Sequence, residues 1–171
     1  MQADPEQFKN VLAQWSTGVT VATAVAPDGR WEGITATSFA SVSLEPPLVL
    51  VCVGKTLVFR EAVENSKAFA INILSRHQAQ WGLVFAGLVP EITDRFAGIA
   101  CTTAQTGNPI LPETSGWLDC RLWNTYDGGD HLIFVGEMLA GESSPERAPL
   151  LYHNRRWGGF SAGPADAIPA R

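Results

Sequence analysis

The stretch "GITATSFASVSLEPPLVLVCV", residues 33–53, largely decides which fold the chain can adopt. Its second half, "LVLVCV" at 48–53, is apolar throughout, which predicts a strand buried on both faces and deep in a sheet. Its first half carries hydroxyl side chains, at Thr35, Thr37, Ser38, Ser41 and Ser43. Hydroxyl and backbone N–H groups can cradle a phosphate, and Gly33 would let the backbone approach a ligand closely. Spacing alone favours a plainer interpretation, because serine and threonine are common in edge strands and turns.

Strand patterns dominate the rest of the chain. Alternation and short apolar runs predict strands at "VTVATAVA" (19–26), "RWEGIT" (30–35), "AFAINIL" (68–74), "GWLDCRLW" (116–123) and "HLIFVGEMLAGE" (131–142). The strands do not alternate regularly with helices, so an antiparallel barrel or sandwich is favoured over a doubly wound sheet. The sequence has no GxGxxG motif, so any nucleotide would bind in another manner than in a Rossmann fold.

Three helices are predicted between the strands. The first, "DPEQFKNVLAQW" (4–15), has Asp4 as its cap and an apolar face that ends at Trp15, for which we expect a core position. Thr56 is the expected cap of "TLVFREAVENS" (56–66). Ser75 and Gln78 have the spacing of a capping box, which predicts a helix that continues to about residue 85.

Composition excludes several function classes. The 171 residues are 46% hydrophobic and carry a formal net charge of −5, with a pI of about 5.1. We therefore expect no nucleic-acid or membrane partner, since both reward a basic surface. The three cysteines form no CxxC pair and no signal-peptide core is evident, which favours a reduced, cytoplasmic chain. Neither the cysteines nor the histidines show the ligand spacing of a metal site.

The segments described above resemble the flavin reductase-like family, the FMN-binding split barrels. The likeness rests on "GVTVATA", "DGRWEGITATSFASVSLEPPLVLVCV", "FAINIL", "DRFAGI", "NPIL", "WLDC", "GDHLIFVGEM" and "PLLYHN", which occur in the family's order. It spans roughly residues 8–157. The resemblance implies a mainly β fold with a few helices, a Greek-key antiparallel split β-barrel. We expect one domain at 1–160 and a flexible tail at 161–171.

The resemblance also implies which residues bind the flavin. The segment that surrounds the flavin ring and ribityl chain corresponds to Gly33, Ile34, Thr35, Ala36, Thr37, Ser38 and Phe39, with Ser41 nearby. The end of the following strand, Val51, Cys52 and Val53, would lie beside the ring. Relatives usually carry a Ser-Ser-Thr-like run for the phosphates, whereas this chain has "GKTLVF", which leaves Lys55 and Thr56 as candidates. Arg95 and Phe96 form a further flavin-side pair.

Two more positions are implied for the nicotinamide dinucleotide. His131 follows "YDGGD" and on its own is a polar residue after a turn, but the family's Gly-Asp-His faces both flavin and nicotinamide. It is the one residue we expect in a catalytic role, with Asp130 orienting its ring. Tyr152 lies where relatives contact the dinucleotide, although a packing role explains it equally well.

The implied activity is hydride transfer from NAD(P)H to FAD or FMN, with FAD and NADH favoured. Reduced flavin would then diffuse to a separate flavin-dependent monooxygenase or halogenase, and the reductase would be a homodimer. Two alternatives stay open at this point. One is a split-barrel enzyme that holds its flavin tightly and acts on an organic substrate, and the other is a flavin-binding barrel without enzymatic activity.

Overall fold

The computed structural model describes residues 4–161, and its main body is a seven-stranded antiparallel sheet. In chain order its strands are β2 (Thr20–Val25), β3 (Trp31–Ala36), β4 (Ala40–Ser43), β5 (Leu48–Gly54), β6 (Ala68–Ile73), β9 (Gly116–Gly128) and β10 (His131–Ser143). They are hydrogen-bonded in the order β3-β2-β6-β9-β10-β5-β4. The sheet curls so that β3 also contacts β5, which is not its neighbour in that order. This arrangement, with every pairing antiparallel, confirms the predicted split barrel.

Smaller elements cover the sheet. A three-stranded sheet joins β1 (Thr17–Gly18), β11 (Leu150–His153) and β12 (Arg156–Gly159), and a two-stranded one joins β7 (Thr102–Thr103) and β8 (Pro109–Ile110). The helices are α1 (Pro5–Leu12), α2 (Val58–Ser66) and α3 (Ala79–Phe85), the last preceded by a 3-10 turn at Arg76–Gln78. None of the helices in residues 4–161 is long and apolar enough to cross a membrane. The division into a domain at 1–160 and a tail stays a prediction, and the tail lies outside the described residues except for Ser161.

The core fills the space inside the curled sheet. Its largest buried side chains are Phe59, Phe69, Phe134 and Ile71, together with the inward-facing residues of β5. Along β5, Val49, Val51 and Val53 are buried while the alternate residues are half-buried, so only one face of this strand lies in the core. The expectation that β5 is buried on both faces is therefore wrong, because the face of β5 that points away from the core is only partly covered. Cys120 is fully buried, as expected of a small apolar residue.

Helix capping follows the sequence at two of three places. Asp4 accepts a hydrogen bond from the Glu6 amide at 3.1 Å, and Gln78 accepts one from the Ser75 amide at 2.9 Å. The prediction that Thr56 caps α2 is wrong, because the last extended residue before the helix is Leu57, one residue later. Since leucine has no acceptor, the first turn of α2 begins without a side-chain cap.

Helix α1 departs most from expectation. Trp15, just after its end, is 74% exposed, so its predicted core position is wrong. Phe8, Val11 and Leu12 share this exposed apolar face, each more than half accessible. The opposite side of the helix is held by polar contacts to the β11–β12 hairpin, which include a 2.7 Å hydrogen bond from the Arg155 guanidinium to Asn10.

Candidate functional site

A cleft of about 850 Å³ opens beside β3, and we call it the Arg95 cleft. Three segments line it: the β2–β3 turn with the start of β3 (29–34), the beginning of α2 (56–59), and the loop at 93–96. The cleft brings together residues predicted from distant parts of the sequence, namely Gly33, Ile34, Thr56, Arg95 and Phe96. It is therefore the place where the predicted flavin-side residues converge most closely.

Aromatic rings and one guanidinium shape the inner wall of the Arg95 cleft. Phe96 packs edge-on against Trp31, with ring centroids 5.5 Å apart, and against Phe85 at 4.9 Å. The Nη1 of Arg95 donates a 2.9 Å hydrogen bond to the carbonyl oxygen of Gly33. These contacts fix the 93–96 loop to β3, so the backbone of the predicted flavin segment and the Arg95–Phe96 pair form one rigid unit.

Gly33 has a different structural role from the one we expected. A Cβ added there would lie 2.7 Å from Cε1 of Phe85 and 3.1 Å from Cζ of Phe96. The space beside Gly33 is therefore filled by aromatic side chains of the same chain, and it is not open for a ligand. We expected a ligand to approach the backbone closely at Gly33, and for this face of the strand that expectation is wrong.

The hydroxyl groups of the opening stretch are partly used within the protein. Thr35 Oγ1 donates to the carbonyl of Gly82 at 2.7 Å, which ties β3 to α3. Ser38 Oγ accepts from the Cys52 amide and donates to the Cys52 carbonyl, each at 3.1 Å, which ties the β3–β4 connection to β5. Because a hydroxyl has one proton to donate, Ser38 in this arrangement has only acceptor capacity left for a ligand.

A second cleft, of about 540 Å³, lies between α1 and the β3–β4 connection, and we call it the α1 cleft. It contains four more predicted residues, Thr37, Ser38, Phe39 and Tyr152. The α1 side contributes apolar surface, and Lys9 and Arg155 add two cations. Tyr152 also packs edge-on against Trp157 at 5.7 Å, so its ring has a structural role as well as a place in this cleft.

The remaining predicted residues of the flavin segment and of β5 lie in neither cleft. The side chains of Ala36, Val51 and Val53 are buried in the core, so only their backbone could meet a ligand. Cys52 is half-buried on the opposite face of β5, across from Ile133 of β10. Ser41 is exposed on the edge strand β4.

His131 lies at the tip of the long β9–β10 hairpin, opposite Gly54 at the end of β5. Its Nδ1 is 2.7 Å from Asp130 Oδ1, as expected, and its side chain is 47% exposed. The hydrogen bond with His131 lowers the pKa of Asp130, so this carboxylate stays ionised. A Cβ on Gly54 would lie 3.9 Å from the Nε2 of His131 and 3.6 Å from the Leu57 side chain, so both side chains cover the same side of this glycine.

Lys55 is paired within the chain at the same hairpin tip. Its Nζ donates to Asp127 Oδ2 at 2.6 Å, and its backbone amide donates to the Asp130 carbonyl at 3.0 Å. The hydrogen bond from Lys55 lowers the pKa of Asp127, and a second one from the Gly129 amide acts in the same direction. The cation expected to meet a flavin phosphate therefore already has a carboxylate partner.

Sequence reasoning missed several residues of the site, of which Trp31 and Leu57 are instructive. Trp31 and Leu57 line the Arg95 cleft but were not among the predicted residues. A usable signal existed for Trp31, because it lies two residues before Gly33 and so points to the same face of β3. For Leu57 the sequence offered none, since its position depends on where α2 begins.

Comparison with known proteins accounts for this arrangement. Residues 12–161 match the model of the flavin reductase like domain. The chain is 38% identical over 167 residues to the reductase subunit HsaB of a flavin-dependent monooxygenase from Rhodococcus jostii (strain RHA1), which covers 98% of this chain and 83% of that protein. The match is thus long enough to include both clefts and the hairpin tip.

Two solved structures are similar over nearly the full chain. Nitrilotriacetate monooxygenase component B from Mycobacterium thermoresistibile superposes with a TM-score of 0.87 at 35% identity, covering 97% of this chain and 90% of the other. The NADH:FAD oxidoreductase SgcE6 of Streptomyces globisporus C-1027, solved with NAD and FAD fragments, superposes with a TM-score of 0.85 at 33% identity, covering 98% and 99%. Sequence, fold and cleft together show that the chain belongs to the flavin reductase-like domain family.

Proposed function

We propose that this protein is an NAD(P)H:flavin oxidoreductase that reduces FAD or FMN and releases the reduced flavin to a partner flavin-dependent monooxygenase or halogenase. The observation that carries the proposal is the Arg95 cleft, where the family's flavin segment, Arg95, Phe96 and the start of α2 meet. The relative named as the reductase subunit of a flavin-dependent monooxygenase supports the role of the released flavin.

The residues of the Arg95 cleft fit a flavin. Its volume of about 850 Å³ lies within the range of about 300–1,000 Å³ typical of small-molecule sites. Trp31 and Phe96 supply aromatic surface for a planar ring, and Arg95 and Thr56 supply donors. The start of α2 has no side-chain cap, so its amides and dipole can receive a phosphate group.

The chemistry is a hydride transfer, which a bound flavin and a nicotinamide carry out between themselves once their rings are stacked. The role of the protein is to position both molecules and to exclude competing reactions. Such a transfer requires neither a nucleophile nor an acid–base pair from the chain, because the flavin and the nicotinamide carry the reacting atoms. Positioning is assigned to the β3 backbone, held by Arg95, and to His131.

His131 is suited to orient the nicotinamide. Asp130 faces its Nδ1, which places the proton of a neutral ring on Nδ1 and leaves Nε2 as an acceptor. Nε2 lies near Gly54 and the Leu57 side chain, where the carboxamide of a nicotinamide could donate to it. We assign Tyr152, in the α1 cleft, to the other end of the dinucleotide.

We favour FAD and NADH as the substrates. The name of the Streptomyces relative, an NADH:FAD oxidoreductase, supports that preference. We further propose a cytoplasmic homodimer. The three cysteines are free, which suits a reducing compartment, and the exposed apolar face of α1 suits contact with a second copy. Sedimentation velocity at two concentrations would reveal a dimer, and a monomer at every concentration would remove this part of the proposal.

The decisive experiment measures NADH and NADPH oxidation at 340 nm with FAD, FMN, riboflavin or no added flavin. The proposal predicts a rate that saturates as flavin is added. A yellow protein that keeps its flavin through gel filtration, with a rate that added flavin does not raise, would instead indicate a tight-flavin enzyme. Flavin binding without any turnover would indicate a non-enzymatic barrel.

A further inference from the structure

The cations around the Arg95 cleft are mostly neutralised by carboxylates of the same chain. Among the described residues at or next to the cleft, three cations form close ion pairs: Arg30 with Asp28 at 2.7 Å, Arg60 with Glu64 at 2.6 Å, and Lys55 with Asp127 at 2.6 Å. Arg95 instead donates to a neutral carbonyl and is held in place by that bond. A phosphate that enters this region therefore meets three cations that already have carboxylate partners, and Arg95, which is bonded to a neutral carbonyl.

Of these three ion pairs, Lys55–Asp127 is the one that a competing anion can separate most easily. The other two pairs are local, joining residues two apart in a turn or four apart on a helix, so their partners stay adjacent whatever binds. Asp127 lies 72 residues from Lys55 along the chain, on a hairpin end followed by two glycines, and its side chain is 73% exposed. An exposed ion pair of this kind is only weakly favourable, so a competing anion can displace the carboxylate.

Lys55 is also placed to exchange partners without moving its backbone. Its amide is fixed to the Asp130 carbonyl at 3.0 Å, and the next residue, Thr56, lines the cleft at the start of α2. Rotation of the lysine stem alone would carry its ammonium group from the hairpin tip toward the first turn of α2. The uncapped amides of that turn and the lysine would then act on the same anion.

We propose that Asp127 is a specificity-determining residue that competes with the flavin phosphate for Lys55. This inference rests on the proposed function. While the pair is closed, Lys55 is unavailable, so a phosphate-bearing flavin gains the contact with Lys55 only by displacing Asp127, and the return of Asp127 favours release of the product. Riboflavin, which has no phosphate, gains nothing from Lys55 and is indifferent to Asp127. The competition thus suits an enzyme whose flavin must leave.

The test is equilibrium binding of FMN, FAD and riboflavin to Asp127→Asn, followed by flavin fluorescence. We expect FMN and FAD to bind about two- to fivefold more tightly than to the wild type, the range set by an exposed ion pair, while riboflavin is unchanged. Lys55→Met should weaken FMN and FAD but spare riboflavin. In the Lys55→Met background, Asp127→Asn should have no further effect on any of the three.

Asp28→Asn is the matched control, because it also removes one exposed carboxylate from an ion pair at the cleft. An equal gain in FMN affinity from Asp28→Asn would show a general charge effect and overturn the inference. So would tighter riboflavin binding in Asp127→Asn, a gain that persists without Lys55, or weaker binding of all three flavins. The proposed function fails separately, if the wild type binds flavins but oxidises no NAD(P)H with any of them.

Discussion

Replacing Gly33 by alanine should destabilise the fold, because the space beside this glycine is filled by aromatic rings. The added Cβ would lie 2.7 and 2.8 Å from two carbons of Phe85 and 3.1 Å from Phe96, well inside the 3.4–4 Å of ordinary contacts. Phe85 is 1% exposed, so its ring cannot retreat into solvent. Overpacking of this kind costs about 1–3 kcal/mol, which for a chain of this size lowers Tm by about 2–12 °C.

Thermal denaturation of Gly33→Ala, Phe85→Leu and the double variant measures this effect. In the Phe85→Leu background the added methyl group has room, so most of the cost of Gly33→Ala should disappear, with a coupling of about 0.5–3 kcal/mol. Gly18→Ala is the matched control, since Gly18 is also a strand glycine but has nothing within 4 Å of the added Cβ. An unchanged Tm in Gly33→Ala, together with a large loss of flavin affinity, would refute the packing role and restore the ligand-approach interpretation.

Three further predictions concern single side chains. His131→Ala should raise the KM for NADH about two- to tenfold, the value of one hydrogen bond, and leave the flavin Kd nearly unchanged; wild-type NADH kinetics would remove His131 from the site. Ser38→Ala removes both hydrogen bonds to Cys52, so it should cost about 1–3 kcal/mol of stability in urea denaturation, and an unchanged midpoint would show that these bonds contribute little. Burial raises the pKa of Cys120 to about 12 and of Cys101 to about 11, so iodoacetamide at pH 8 should label Cys120 only after denaturation, as mass spectrometry would detect. Because unfolded thiols ionise near pH ~8.5 while these stay protonated, stability should fall as the pH rises above that value.

The fold could be predicted because its signals are local. Alternation and apolar runs indicated each strand of the seven-stranded sheet except β4, and the lack of βαβ alternation indicated antiparallel pairing. The errors came where the tertiary structure decides. Thr56 is a favourable capping residue, but it lines the Arg95 cleft and the chain turns into α2 only after Leu57. Capping preferences show which residue types suit the N-cap position. They do not show at which residue the helix begins, because that depends on where the preceding strand ends.

The candidate site was only partly predictable, because its contacts join distant residues. The hydroxyl-rich stretch pointed to the correct segment, and Asp130 was correctly paired with His131. The partners of the hydroxyls could not be found from spacing, since Thr35 bonds a carbonyl 47 residues away. Arg95 likewise donates to a carbonyl 62 residues away. Lys55 is paired with Asp127, 72 residues away, and only the folded sheet brings the two together.

Helix α1 shows that a correct local pattern can still lead to a wrong prediction of burial. The periodicity places Phe8, Val11, Leu12 and Trp15 on one apolar face of a helix. It does not show whether the surface that packs against this face belongs to the same chain. The polar side of α1 is bonded to the β11–β12 hairpin, so the apolar side is left accessible, where Phe8, Leu12 and Trp15 line the α1 cleft. An apolar face that the fold itself holds outward is better explained by contact between molecules than by a core. The tryptophan expected to be the clearest core residue therefore lies on the surface, because the periodicity of a helix does not say what covers its apolar face.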